Sequence, residues 1–253
     1  MSTRAALFCA LVVPLAGCTQ DVGLRSLQRA SIVGGVEVPD DDGGDALGGI
    51  APTLAWDFSS MAAGTPWEEG AGEAGLINVF DGYGIVAVRA VDGSPALVAS
   101  PARAADPSET HAALVVSEAS VAADMTLRMT ARTMAQLRVG EPNPWETAWV
   151  VWGYTDPENF YYLALKTNGW EIGKRDPSYA GGQRFLADAR DEGFAMGQAA
   201  AVEVEQDGGA MSVWVDGFLL AELDDTERPL LGGAIGFYTE DAAVAFDDVA
   251  VWE

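Results

Sequence analysis

Residues 149–175 read WVVWGYTDPENFYYLALKTNGWEIGKR, and this stretch decides the predicted fold. Short runs of branched and aromatic residues are separated by two turn signals, one within Thr155–Asn159 and one at Asn168-Gly169. An Asn-Gly pair suits a type I′ turn, because the central residues of that turn need positive φ. The stretch therefore predicts consecutive antiparallel strands joined by hairpins.

The same pattern continues along the chain on both sides of this stretch. Further short β-type runs lie between residues 85 and 252, and Asp-Gly pairs separate several of them. No long amphipathic helix and no internal repeat interrupts the pattern. We therefore predict an all-β fold, an antiparallel β-sandwich or jelly roll, that occupies residues 53–253 as one domain.

The N-terminus carries the signals of bacterial export. Arg4 precedes an apolar run from Ala5 to Leu15, which is too short to span a bilayer as a helix. Leu15-Ala16-Gly17-Cys18 then matches the lipobox, where a peptidase cuts before a lipid-bearing cysteine. We predict that residues 1–17 are a cleaved signal peptide.

Lipidated Cys18 is the predicted membrane anchor, because stable anchoring needs two or more acyl chains. Residues 18–52 are acidic and glycine-rich and lack apolar periodicity, which predicts a solvated tether. Thr19, in place of Asp after the cysteine, favours the outer membrane by resemblance to known sorting signals.

Composition excludes several classes of function. The formal net charge is −24, so the chain repels nucleic-acid phosphates and anionic lipids, and its predicted membrane contact is the lipid anchor alone. His111 is the only histidine, and the two cysteines are Cys9 and Cys18. A Ser-His-Asp triad and a typical zinc site are therefore not expected in the mature domain.

A succession of motifs from residue 145 onward resembles secreted concanavalin A-like jelly rolls. The most similar groups are glucuronan-lyase-like proteins and 3-keto-glycoside-hydrolase-like domains. The resemblance covers roughly residues 54–253, although 71–110 depart from the pattern. The motifs that carry it are Trp145-Glu146-Thr147-Ala148-Trp149, Asn168-Gly169-Trp170-Glu171, Gly182-Gln183-Arg184-Phe185, Val213-Trp214-Val215-Asp216-Gly217, Gly236-Phe237-Tyr238-Thr239-Glu240 and Phe246-Asp247-Asp248-Val249.

The resemblance implies two bent antiparallel sheets, with a concave face that holds a sugar chain and often a structural calcium ion. Binders, glycosidases and lyases share this fold, so the fold alone does not choose among them. Because the first and last strands run side by side in the family, Asp57 is expected close to Asp247 or Asp248 as a calcium site. Calcium needs six to eight oxygen ligands, so carbonyls and water would complete that shell.

A polar face is predicted on the hairpin around Asn168-Gly169. A two-residue turn pairs Lys166 with Glu171 and Tyr162 with Arg175, and strand alternation then separates a core face from a polar one. If Tyr154 pairs with Phe160, Trp152 joins the polar face. The core face carries Leu163, Leu165, Trp170 and Ile172, and the polar face carries Tyr162, Lys166, Glu171 and Arg175, spaced by small Ala164 and Gly173.

Basic residues gather at this hairpin in an otherwise acidic chain. Lys166 and Lys174 are the only lysines, and Arg175 and Arg184 follow closely. Such a group favours an anionic ligand, such as a uronic-acid polymer. The alternative is that Lys166 and Glu171 form an ordinary cross-strand pair on a solvated face.

The predicted sugar-binding residues combine aromatic rings, which stack on sugars, with polar side chains. If the site is catalytic as a uronate lyase, Gln183, Arg184 or Arg175 neutralises the substrate carboxylate, and Tyr162 or Lys166 is the base. The catalytic candidates are Tyr162, Lys166 and Arg184. The ligand-binding candidates are Trp152, Tyr162, Lys166, Glu171, Arg175, Gln183 and Arg184.

Three hypotheses of function follow from the sequence. The first is a membrane-anchored, calcium-stabilised jelly roll that binds polysaccharide in the bacterial envelope. The second is a polysaccharide lyase or glycoside hydrolase that uses the same groove. The third is a structural envelope lipoprotein whose aromatic residues all belong to the core.

Overall fold

The computed structural model describes residues 49–190 and 192–253. The predicted signal peptide (1–17), Cys18 and nearly all of the tether (18–52) lie outside the described residues. Within the described ranges the secondary structure is fifteen strands and no helix. That part of the chain accordingly holds no helix long and apolar enough to cross a membrane.

Most of the fifteen strands are short, as the turn signals predicted, and β6 and β15 are the longest with 12 and 11 residues. They are β1 (Leu54–Trp56), β2 (Leu76–Phe80), β3 (Ile85–Val91), β4 (Ser94–Ser100), β5 (Ala112–Ser117), β6 (Met125–Gln136), β7 (Trp149–Asp156), β8 (Asn159–Ala164), β9 (Gly169–Arg175), β10 (Gln183–Arg190), β11 (Ala199–Asp207), β12 (Ala210–Val215), β13 (Phe218–Asp224), β14 (Ala234–Glu240) and β15 (Ala242–Trp252).

The strands form two antiparallel sheets. The eight-stranded sheet has the order β13-β12-β11-β6-β15-β4-β3, and β1 also pairs with β15. The seven-stranded sheet has the order β10-β9-β8-β7-β14-β5-β2. Neighbours in each sheet are often distant in sequence, as in a jelly roll. The predicted all-β sandwich fold is therefore confirmed.

The core lies between the sheets because alternate side chains of every strand point inward. Val150, Leu163 and Ile172 of the seven-stranded sheet are fully buried, as are Leu127 and Val204 of the eight-stranded sheet. Each such side chain contributes roughly 1.5–3 kcal/mol to folding by leaving water. A core of this size explains how the domain folds without a disulfide.

The β8–β9 hairpin has the predicted faces and a different register. Tyr162 pairs with Gly173 and Ala164 with Glu171, so the loop is wider than two residues. Gly169 begins β9 instead of forming a turn, and a Cβ there would lie 1.9 Å from the Ala189 carbonyl oxygen of β10. The register slips by two residues, so every side chain keeps its predicted face.

The predicted placement of Trp152 is wrong. Trp152 pairs with Tyr161, because an irregularity that includes Gly153 at positive φ shifts the register of β7 against β8. An odd shift moves a side chain to the other face of the sheet. Trp152 is therefore fully buried in the core and does not line the polar face.

Lys174 is a fully buried ammonium group between the sheets. Its Nζ lies 2.5 Å from Asp225, in the segment after β13, and also donates to the Glu227 and Arg228 carbonyls. The Tyr161 hydroxyl and the Arg184 guanidinium contact the same carboxylate, at 2.8 and 3.0 Å. We call Tyr161, Lys174, Arg184 and Asp225 the ionic cluster.

Replacing Asp225 by alanine should destabilise the domain by about 3–5 kcal/mol, because the Lys174 charge would stay buried without its counterion. Urea denaturation followed by circular dichroism measures this free energy. Glu118→Ala is the control, since Glu118 is exposed and its loss should change stability by less than about 0.5 kcal/mol. Equal effects of the two variants would contradict a structural role for the cluster.

Candidate functional site

The outer face of the seven-stranded sheet is lined by aromatic rings. The Trp149 ring stacks on Tyr162 with centroids 4.6 Å apart and planes at 28°. Tyr238 meets Trp149 edge-on at 5.1 Å. Such pairs contribute about 0.5–1.5 kcal/mol beyond the area they bury. We call this surface the aromatic face, and its rings are Phe80, Trp149, Tyr154, Phe160, Tyr162 and Tyr238.

Polar side chains border the rings on β9 and β10. The Tyr162 hydroxyl donates to Glu171 Oε1 at 2.9 Å, and Lys166 Nζ donates to Glu171 Oε2 at 3.1 Å. The Gln183 amide donates to the Tyr162 oxygen. Gly173 makes room for this arrangement, because a Cβ there would lie 2.3 Å from the Tyr162 hydroxyl. The predicted grouping of Tyr162, Lys166 and Glu171 on one face is therefore confirmed.

Arg175 and Glu240 flank the same face from different strands. Arg175 pairs with Gln183, and its guanidinium lies against Gly182. Glu240 of β14 accepts a hydrogen bond from the Tyr238 hydroxyl at 2.7 Å. Glu240 was not among the predicted site residues, although its spacing of two from Tyr238 in a strand was the available signal.

Burial is the main cause that raises the pKa of Glu240. The Tyr238 hydrogen bond and Arg175 lower that pKa, whereas the charges of Asp241 and Glu146 raise it. The residue nevertheless keeps part of its surface in solvent. Glu240 is thus a carboxylate closely surrounded by protein at the border of the aromatic face.

Arg138 connects the loops that lie at the Glu240 end of the aromatic face. Its guanidinium bonds to Glu146 and Asp241, the latter at 2.7 Å, and to the Pro107 carbonyl at 2.7 Å. Trp145, in the same loop as Glu146, is 39% exposed, and its carbonyl accepts the Trp149 indole N–H at 2.7 Å. No local pattern indicated Arg138, because its partners Pro107, Glu146 and Asp241 come from separate parts of the chain.

The three catalytic candidates do not converge. Burial, followed by the charge of Glu171, raises the pKa of Tyr162 well above its ordinary value, so its hydroxyl stays protonated and donates. That state does not suit a base. Arg184 belongs to the ionic cluster on the inner face and lies on the opposite side of β10 from Gln183. The predicted placement of Arg184 beside Tyr162 is therefore wrong.

The basic group at the hairpin is balanced by acidic partners. Lys166 pairs with Glu171, Lys174 with Asp225, and Arg184 with Asp225 and, at 3.6 Å, Glu227. Lys166 and Glu171 do form an ion pair, but their side chains are only 11% and 13% exposed and the strand partner of Glu171 is Ala164, so this is not the solvated cross-strand pair of the alternative. These three residues provide no excess positive charge that would favour an anionic ligand, and the charge of the fourth, Arg175, acts on Glu240.

The predicted calcium residues are neighbours and do not form a ligand set. Pairing of β1 with β15 brings Asp57 near Asp247, and burial, followed by the charges of Asp248 and Asp57, raises the pKa of Asp247. Asp57 Oδ1 instead accepts a hydrogen bond from the Ser59 backbone N–H, and Asp247 Oδ1 accepts one from the Asp248 backbone N–H. No group of three or more Asp, Glu, His or Cys among residues 49–190 and 192–253 is arranged to hold a metal.

Solved structures share the fold of this chain. The carbohydrate-binding module CBM66 from Bacillus subtilis has a TM-score of 0.53 at 15% identity, over 71% of this chain and 96% of that one. A protein of unknown function with a galectin-like fold, also from Bacillus subtilis, has a TM-score of 0.50 at 11% identity, over 79% and 98%.

An endo-acting O-glycanase of the human gut microbiota has a TM-score of 0.50 at 13% identity, over 79% of this chain and 98% of that one. No protein-family model and no curated protein matches the chain. At these identities the likeness shows a jelly-roll sandwich and nothing finer.

Glu240→Gln should stabilise the domain at neutral pH and have little effect in acid. A carboxyl whose pKa is raised by folding stabilises the protein when protonated and loses that contribution as pH rises from its ordinary value of 4.5 through the raised one. Thermal unfolding of both proteins from pH ~4 to ~8 measures the difference. A constant difference at every pH, or the same pH trend in Glu118→Gln, would contradict the assignment.

Proposed function

We propose that this chain is a membrane-anchored carbohydrate-binding protein that holds a glycan on its aromatic face. The observation that carries it is that the partly exposed rings of Tyr154 and Tyr238 pack on the buried Trp149–Tyr162 stack. Glu171 and Gln183 border these rings in one hydrogen-bonded group. Aromatic rings offer a flat surface to the C–H groups of sugars, while carboxylates and amides bind their hydroxyls. The fold of a carbohydrate-binding module supports the proposal.

The polar groups are pre-organised for binding. Tyr162 and Lys166 hold both oxygens of Glu171, and Tyr162 also holds the Gln183 amide. Fixed side chains lose less entropy on association than mobile ones, so more of their hydrogen-bond energy goes to affinity. Since the charges are paired, the ligand that suits this face is a neutral glycan.

The structural-lipoprotein hypothesis requires that the aromatic residues all belong to the core. Trp152 and Tyr162 are indeed fully buried. Trp145 is 39% exposed, however, and Tyr154 and Tyr238 keep part of their surface in solvent on the same face. Exposed rings beside an ordered polar group favour ligand binding over a purely structural role.

A glycoside hydrolase is the second candidate, because two carboxylates share the aromatic face. Glu171 is held by two donors, and burial raises the pKa of Glu240, as suits a carboxyl acid. Release of reducing ends from oligosaccharides, abolished in both Glu171→Gln and Glu240→Gln, would establish this activity. Binding without turnover would leave the binding function alone.

Binding should depend on residues of the aromatic face. After a glycan array identifies a neutral ligand, calorimetry should show about tenfold weaker binding by Tyr154→Ala, which loses stacking, and by Gln183→Ala, which loses a hydrogen bond. Trp214→Ala is the control, because Trp214 lies on β12 of the other sheet and is also partly exposed. Loss of binding in the control variant alone would place the site elsewhere.

We propose that Cys18 is the membrane anchor, from the lipobox of residues 15–18. Cys18→Ser should remove the protein from the outer-membrane fraction, because no acyl chain can be attached and the signal peptide is then not cleaved. Fractionation of cells and mass spectrometry of the N-terminus measure this. Cys9→Ser is the matched control and should stay with the membranes. Retention of Cys18→Ser in the outer membrane would overturn the anchor.

Calcium stabilisation stays a prediction of the family resemblance. If an ion binds at Asp57, Asp247 and Asp248, millimolar calcium should raise Tm, and Asp247→Asn should remove that rise. Differential scanning fluorimetry with calcium, magnesium and EDTA measures it. A Tm independent of calcium would end the prediction.

A further inference from the structure

A groove of about 530 Å³ opens on the outer face of the eight-stranded sheet, opposite the aromatic face. Its floor includes one row of paired residues across five strands: Trp252, Thr126, Glu205, Ser212 and Glu222. We call this depression the acidic groove. It is far larger than the space needed for single water molecules.

The charges that line the groove all have one sign. Asp124, Asp207 and Glu253 join Glu205 and Glu222 along its wall, and no lysine or arginine is among the lining residues. Apolar surface is present as well, from Trp252, Ile50 and Leu223. A partner with positive charge and short apolar side chains is complementary to this surface.

Arg128 borders the groove without offsetting its five carboxylates. Its guanidinium lies over the ring of Trp252, which lines the groove, at 5.5 Å from the centroid, and it pairs at 3.0 Å with Glu203, which does not line the groove. The carboxylates of the groove therefore outnumber any cation in contact with it.

The chain enters the domain at this groove. Ile50 lines it, and the Trp252 indole N–H donates to the Ile50 carbonyl at 3.0 Å. Upstream, residues 22–36 contain no acidic residue and carry Arg25 and Arg29 among Leu24, Leu27, Ile32 and Val33. The fifteen residues 34–48 between them can span up to roughly 50 Å when extended, which is ample to reach back.

We propose that residues 24–33, the arginine segment, dock in the acidic groove of their own domain. Arg25 and Arg29 meet carboxylates such as Glu205 and Glu222, and the leucines cover the apolar surface beside Trp252. The acidic run at Asp40–Asp42 is repelled from the same groove, so the charge pattern selects the upstream segment.

Docking also orients the domain relative to the membrane. This step rests on the proposed anchoring at Cys18. Only five residues separate Cys18 from Leu24, so a docked segment holds the eight-stranded sheet toward the membrane. The aromatic face, on the opposite side of the sandwich, is then directed away from the lipid and toward a glycan.

Disulfide trapping in the full mature chain tests the proposal. Cys18→Ser leaves the mature chain without a thiol, so Ser26→Cys and Ser212→Cys introduce one pair between segment and groove. The control pair is Ser26→Cys with Ser178→Cys, which is exposed on the β9–β10 turn of the other sheet. An intramolecular disulfide should form about tenfold faster in the first pair than in the control.

Charge variants show whether the arginines drive docking. Arg25→Glu with Arg29→Glu, or about 1 M NaCl, should reduce the trapping rate to that of the control pair, whereas Arg25→Lys with Arg29→Lys should retain most of it. Equal rates for both cysteine pairs would overturn the proposal. Disulfide-linked dimers as the main product would also overturn it, because the groove would then accept the segment of a second copy.

Discussion

The buried ion pair between Lys174 and Asp225 is the contact on which the arrangement of β9 and β10 depends. An ammonium group without solvent contact is tolerated only when a carboxylate and carbonyls surround it, since its desolvation otherwise costs several kcal/mol. Asp225 follows β13 of the other sheet, so the pair joins the two layers at their edge. Hydrocarbon packing holds the layers together, whereas this pair determines how their ends meet.

Strand alternation couples that inner contact to the outer site. Tyr161, Lys174 and Arg184 are directly paired across three strands and face inward, where each contacts Asp225. Their chain neighbours Tyr162, Arg175 and Gln183 therefore face outward together. A tightly held inner row thus fixes the positions of the residues that border the aromatic face.

The two outer surfaces of the sandwich differ in chemistry. The aromatic face combines rings with paired charges, so its character is neutral and amphipathic. The acidic groove carries carboxylates without a lining cation. A sandwich can serve two partners in this way, because each sheet has one face in the core and one that is free to vary.

Local sequence determined the strands, the two-sheet class and one side of the candidate site. The prediction that Tyr162, Lys166 and Glu171 share a face was correct although the predicted strand register was wrong. A slip of two residues leaves every side chain on the same face of the sheet. The predicted face of Trp152 was wrong, because the irregularity at Gly153 shifts the register of β7 against β8 by an odd number of residues. No local sequence pattern predicts that shift. Arg184 was grouped with Gln183 as a ligand-binding candidate, and local sequence could not reveal its buried partner Asp225, which lies forty-one residues away.

Only the tertiary structure brought Glu240 to the aromatic face and Arg138 to the loops beside it. Their neighbours come from strands and loops that are adjacent in space and distant in the chain. Periodicity along one strand reports which side chains share a face, and it carries no information on which strands are neighbours. The sequence by itself thus determined the kind of surface, and the long-range pairing of the sheets decided which residues meet on it.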